Sequence, residues 1–282
     1  MAQAHGQDRL LRDRSAAAEL FLSRSAERLV VEVAHVLGER GIPVMPLKGA
    51  LLQKLVYFDH ARGVRRLSDV DVLVPAPRFA EAHETLRAAG FTRERWEGGR
   101  WQVAMSRPGS LLALDLHQRL SRTARAKLTS EEMFRGAQPN RDLFGVEVFV
   151  PRPESLFAHL VLHAALHCVN NDALHHPEDF LMVPERLHLD PRATASDLLR
   201  YGLGSHALFL FALLPRPLSA FLQELAGLLK RHPSQRAKVA FVRAVAERCA
   251  PGSLVRRSAA LLLSDQWGRA LWQAGRLRLS SR

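Results

Sequence analysis

The chain reads as an α+β protein, with a small mixed sheet flanked by helices in its first half and a mostly helical second half. Three observations predict this. Helical and strand-like segments alternate up to about residue 150. The strongest strand signal, valine-rich Leu67 to Val74, lies between two helical runs and stops at Pro75 and Pro77. Beyond Pro153 the apolar residues recur at helical spacing, with no strand-like stretch among them. A boundary near residue 151 divides an α/β domain with N-terminal helices, 1–150, from a helical domain, 151–282.

From Leu10 to Leu37 the period is helical, carried by Leu20, Phe21, Ala26, Leu29, Val30, Val33, Val36 and Leu37, with Gly38 or Gly41 as the stop. Ile42 to Leu47 is short, apolar and broken by prolines, which fits a brief extended segment. A helical run follows Lys48-Gly49 and continues to Phe58. After the basic loop HARGVRR comes the Leu67–Val74 strand, then a helix from Phe79 to Ala89 ended by Gly90. Trp101 to Met105 and Leu111 to Leu116 read as strands joined by the turn RPGS. The polar stretch 121–145 reads as a connection, with a short strand at Val146 to Val150. Leu156 to Val169 and the stretches 198–214, 218–229, 236–248 and 254–274 read as helices.

Composition narrows the class of function. With 47% hydrophobic and 24% charged residues, a chain of 282 residues can bury a sizeable core. Lys+Arg 40 against Asp+Glu 28 leaves +12, which favours an anionic partner without choosing among nucleotide, nucleic acid and phosphorylated metabolite. Cys168 and Cys249 are far apart, so zinc–thiolate clusters and disulfide-rich scaffolds are out. No leader-like or membrane-spanning run is visible, and the expectation is a reduced cytoplasmic protein that does not enter the membrane.

The chemistry concentrates in SDVD, Ser68 to Asp71. On a strand, Asp69 and Asp71 project from one face, and two carboxylates there are costly unless a cation bridges them. A divalent metal with hard oxygen ligands does this, while a solvated strand face is the bland alternative. Asp115 alternates with Leu114 and Leu116. If its strand neighbours the first, it can share the metal or deprotonate an attacking hydroxyl. Lys48-Gly49 opens a helix, whose N-terminus can hold a phosphate that Gly49 lets approach and Lys48 attracts. Arg65 and Arg66 read either as a triphosphate clamp or as solvated loop charges. Neither GxxxxGK[ST] nor GxGxxG occurs.

The run MPLKGALLQKLVYFDHARGVRRLSDVDVLV, followed by a distant LDLH, resembles the polymerase-beta-type nucleotidyltransferase superfamily. Within it the run is most similar to the uncharacterised nucleotidyltransferases with an LKG…R…SDxDLLV…LDLHW pattern. The resemblance covers residues 42–118. It implies Mg²⁺ or Mn²⁺ as cofactor, an NTP as co-substrate, and transfer of a nucleoside monophosphate to an acceptor with release of pyrophosphate. Gly49 then matches the turn glycine, Asp69 and Asp71 the paired metal ligands, and Asp115 the third carboxylate. Lys48, Arg66, Ser68 and His117 match positions of the narrower group. Lys48-Gly49 stands where the wider superfamily has glycine-serine, and Gln118 where the narrower group has tryptophan. The acceptor is open among small molecule, peptide, protein and tRNA. Two other classes stay open: a non-catalytic nucleotide- or RNA-binding protein on the same fold, and a phosphotransferase using the same site.

Other residues carry weaker signals. His117 shares the face of Asp115 and reads as orienting that carboxylate, touching the acceptor, or filling the core. His159, His163 and His167 fall on one helix face, as a metal patch or, better, a polar stripe towards a cleft or domain boundary. Trp96 and Trp101 around a turn, and Trp267 and Trp272 near the C-terminus, read as packing anchors.

Overall fold

In the computed structural model the residues described are 2–58, 65–93, 101–121, 126–171 and 174–250, with 253, 255, 259, 262 and 263 beyond them. The side chains of 2–16 and 169–171 fall outside this set, as do Trp96, Trp267, Trp272 and most of the 254–274 stretch. By internal contacts the chain forms two units, Met1–Arg119 with Phe134–Pro151, and Leu120–Met133 with Arg152–Arg282.

The first unit opens with a long helix α1 (Ala2–Gly38), then β1 (Met45–Pro46), α2 (Lys48–Leu55) and β2 (Asp69–Leu73). A 3₁₀ turn at Ala76–Arg78 leads into α3 (Phe79–Ala88), followed by β3 (Thr92–Arg93), β4 (Gln102–Ser106) and β5 (Ala113–His117). Five strands form one mixed sheet in the order β1-β2-β5-β4-β3. Only the β2–β5 pair is parallel, and it sits at the centre. Val70, Val72, Leu114 and Leu116, all fully buried, form one face of that pair. The other face carries Asp69, Asp71, Asp115 and His117, by the period-two alternation of a strand. α1 packs against α2, α3 and β2, and its Val30, Val33 and Leu37 are fully buried.

The helix expected to run through Phe58 ends at Leu55, and the first helical stretch is a single helix ending at Gly38. Within 121–145 lie a short helix α4 (Ser130–Phe134) and a strand β6 (Gln138–Asn140) that pairs antiparallel with β7 (Val148–Val150). β6, three residues around Pro139, has no alternation to detect, which is why it is silent in the sequence.

The second unit contains α5 (Pro153–Asn171), α6 (Asp179–Arg186), α7 (Pro191–Arg200), α8 (Gly204–Phe211), α9 (Ala220–Lys230) and α10 (Pro233–Arg248). Every residue of α8 is buried. Phe157 meets Phe180 and Phe221 edge-on at 6.0 and 5.9 Å, an arrangement aromatic quadrupoles favour. Asp190 and Ser219 cap α7 and α9, accepting hydrogen bonds from Ala193 N and Leu222 N. α6 escaped the sequence pattern because Pro184 interrupts it. Among the described residues no helix is long and apolar enough to cross a membrane. Both cysteines are free thiols, and burial pushes that of Cys168 up to about 11.

Gly49, the second residue of α2, has a packing requirement. A β-carbon there would run into Leu67 Cδ2 and lie 2.7 Å from Arg65 Nη1. The space expected for a phosphate beside Gly49 is therefore lined by Arg65 and Leu67. Gly49→Val should cost about 1–3 kcal/mol of stability through overpacking, read from the urea midpoint at unchanged slope. An unchanged midpoint would show that Leu67 and Arg65 move aside freely.

Candidate active site

The site forms where β1 hands the chain to α2 beside the middle of β2. β1 runs antiparallel to β2, pairing Met45 with Leu73 and Pro46 with Val72. The next step is a hydrogen bond from Leu47 N to Asp71 O at 2.9 Å. Lys48 then turns into α2 with φ of 44°, a left-handed conformation that is uncommon for a residue with a β-carbon. As a result its ammonium lies 2.6 Å from Asp71 Oδ1.

Asp71 is at the centre. Parallel register sets it opposite Asp115 on the same sheet face, and Leu73 opposite His117. Its Oδ1 also accepts from His117 Nε2 at 2.8 Å. An ionised carboxylate can only accept, so the ring hydrogen of His117 sits on Nε2. Burial alone would push the Asp71 carboxyl up. The Lys48 ammonium and the His117 hydrogen bond outweigh burial and hold it well below the usual carboxylate range. Asp115 goes the other way: it is raised by burial and by the charges of Asp71 and Asp69, with His117 and Lys48 opposing. Two facing carboxylates thus have opposite tendencies because one has taken the nearby donors.

One oxygen or nitrogen from each of Asp71, Asp115 and His117 lies within 4.8 Å of the others, a grouping that can hold a metal ion. The carboxylate oxygens suit a hard divalent cation such as Mg²⁺ or Mn²⁺. A cation, the Lys48 ammonium, already rests against one of them. Asp69 is on the same face but two residues away, about 6.6 Å along the strand, and is outside that grouping. Ser68 Oγ donates to its Oδ1 at 3.0 Å.

Of the arginines, Arg65 lies over the start of α2, while Arg66 Nε pairs with Glu19 of α1 at 2.8 Å. Two residues at the site were not singled out for it in the sequence. Gln102, buried on β4, pairs in register with His117. The Trp101 ring, read as a packing anchor, lies 5.7 Å from the His117 ring. The signal for Gln102 was its place in the β4 alternation, usable only once the β4–β5 register is known.

His159, His163 and His167 do lie along one face of α5, in the second unit. Their rings form a ladder continued by His175, with centroids 6.3, 4.4 and 6.1 Å apart in turn. His159 is buried and His167 exposed.

A family model described as "Uncharacterised nucleotidyltransferase" matches residues 8–219. The chain belongs to this family. It is therefore a member of the polymerase-beta-type nucleotidyltransferase superfamily, and Asp69, Asp71, Asp115 and the Lys48 turn all fall inside the matched span. No curated protein matches the sequence. Among solved structures, this nucleotidyltransferase-family chain is similar to antibiotic-resistance factor ANT(2'')-Ia in solution, at 14% identity over 62% of this chain and 88% of that one, with a TM-score of 0.44. The crystal structure of ANT(2")-Ia in complex with adenylyl-2"-tobramycin gives 14% identity, 62% and 94% coverage and a TM-score of 0.42. An antigenic nucleotidyltransferase-like protein from Paracoccidioides brasiliensis gives 14% identity, 77% and 93% coverage and a TM-score of 0.40.

The opposite shifts of the two carboxylates predict opposite mutational signs without metal. Asp71→Asn removes the carboxylate against which the Lys48 ammonium lies and should destabilise the protein by about 3 kcal/mol in EDTA. Asp115→Asn should leave stability equal or higher at neutral pH. The depressed Asp71 contributes stability that is present above about pH 4 and lost as pH falls further. The raised Asp115 contributes stability that is full below about pH 4 and lost as pH rises through its folded value. Urea unfolding of parent and variants from pH 2 to 8 checks both signs. The same sign for both variants at pH 7 would contradict this electrostatic picture.

Proposed function

We propose that the protein transfers a nucleoside monophosphate from an NTP to a hydroxyl or phosphate acceptor and releases pyrophosphate. The observation that carries this reading is the carboxylate face of the β2–β5 pair, with Asp71 and Asp115 in register, Asp69 one pleat along, and the Lys48 turn against Asp71. In this proposal Asp69, Asp71 and Asp115 hold Mg²⁺ or Mn²⁺, which when bound would neutralise the triphosphate and stabilise charge on the transferring phosphorus.

The chain's own groups supply the rest. Lys48 and the first N–H groups of α2 bind phosphate oxygens, since Leu47 at the N-cap brings no side-chain acceptor to occupy them. Arg65, over the same turn, adds charge. Ser68 and His117 orient Asp69 and Asp71 through their hydrogen bonds. Asp115, in register with Asp71 on the same sheet face, takes the proton from an acceptor hydroxyl. The acceptor oxygen bonds to the α-phosphorus as the bond from that phosphorus to the bridging oxygen breaks, and pyrophosphate leaves in line. The helical unit and its histidine ladder, including His159 and His163, are assigned to acceptor selection, because the first unit already accounts for metal and triphosphate.

The test is transfer of label from α-³²P- and γ-³²P-NTPs, with Mg²⁺ or Mn²⁺, against small-molecule, protein and RNA fractions. The expected result is α-label in the acceptor and γ-label in pyrophosphate, with Asp71→Asn and Asp115→Asn each lowering turnover by about 10³-fold or more. Transfer of the γ-label with release of nucleoside diphosphate would make the protein a phosphotransferase. Tight Mg²⁺–NTP binding without turnover in any fraction would make it a binding module.

A further inference from the structure

The inference rests on the nucleotidyltransferase reading above and concerns how its site fills. Lys48 and Asp71 form a desolvated pair, with side chains 14% and 5% exposed. Taking an ammonium and a carboxylate out of water is costly unless they compensate each other, so the metal-free face depends on this contact. The Lys48 backbone supports it at a cost, because a left-handed φ strains a residue that carries a β-carbon. That strain is held between the Leu47–Asp71 backbone bond on one side and α2 on the other. Asp115 also feels the Lys48 charge, so the ammonium serves the whole face.

A divalent ion on Asp71 would bring like charge against that ammonium in a poorly screened setting. Either Lys48 leaves or the ion stays out. Leaving requires an anion within reach to receive the ammonium. Lys48 is itself the first residue of α2, so a phosphate at that helix start would lie beside it. We propose that Lys48 is an exchangeable internal cation. It holds the carboxylate face together without metal, keeps free divalent ions out, and passes from Asp71 to the triphosphate when metal and nucleotide arrive together. Metal and triphosphate then bind with positive coupling, and most of that coupling disappears when Lys48 is neutralised.

The experiment is Mn²⁺ binding without nucleotide, followed by electron paramagnetic resonance, on the parent and on Lys48→Asn and Lys48→Gly. Asparagine and glycine both tolerate positive φ, so each removes the charge while keeping the turn. The expected result is Mn²⁺ affinity at least tenfold tighter in the variants, and a larger rise in Tm on adding Mn²⁺ than the parent shows. Equal or weaker Mn²⁺ affinity in folded variants would overturn the proposal. Should both variants unfold in EDTA, ¹⁵Nζ-lysine NMR on the parent reads the same exchange. The Lys48 signal should move with Mg²⁺ plus a non-hydrolysable NTP and stay in place with Mg²⁺ alone, and movement with Mg²⁺ alone would overturn the proposal. Adding Asp71→Asn or Asp115→Asn to Lys48→Asn separates the two readings. Mn²⁺ binding that survives both additions defeats the metal site itself. Binding lost in both, with Lys48→Asn no tighter than the parent, defeats only the exchange.

Discussion

The buried Asp71 carboxylate and its two donors are the constraint around which the first unit is arranged. A carboxylate 4% exposed survives ionised only if hydrogen-bonded and charge-compensated. Lys48 and His117 supply both, and each requires a particular piece of fold. Lys48 reaches Asp71 because β1 pairs with β2 and the chain turns through a left-handed residue straight into α2. His117 reaches it because β5 lies parallel to β2 in a register that brings position 117 beside position 73. The apolar reverse face, Val70, Val72, Leu114 and Leu116 with α1 behind, fixes that register, since a one-residue slip would exchange leucines for carboxylates.

This arrangement separates two carboxylates that are chemically alike. Asp71 has its charge stabilised by fixed partners and is suited to hold a cation without changing protonation. Asp115, half-buried beside two other acids, has its proton affinity raised by burial and by their charges. Environment, not residue type, sets the two proton affinities apart. Asp69, hydrogen-bonded by Ser68 at the more exposed end of β2, completes the acidic face towards solvent.

Much of this was legible in the sequence where the pattern repeats. Period two in SDVDVLV and LALDLH identified both strands and the face their aspartates share, and the helical spacing after Pro153 identified most of the second unit. What escaped has physical reasons. β6 is three residues around a proline and too short to alternate, and α6 carries an internal proline. The cation expected to relieve Asp69–Asp71 repulsion was read as a metal, yet Lys48 provides one from within the chain. That contact joins residues 23 positions apart through a backbone turn no propensity scale reports. Gly49, read as room for phosphate, is also room for Leu67 and Arg65, because a missing side chain looks the same in sequence whatever fills its place.

In the proposed reaction, metal and triphosphate meet on the carboxylate face of β2 and β5. Anomalous diffraction from crystals grown with Mn²⁺ and a non-hydrolysable NTP tests it most directly. The expected result is a manganese peak within coordination distance, about 2.0–2.3 Å, of carboxylate oxygens of Asp71 and Asp115, with the triphosphate at the start of α2. A manganese peak bound elsewhere, with Asp71 and Asp115 free of metal while the nucleotide is present, would contradict it.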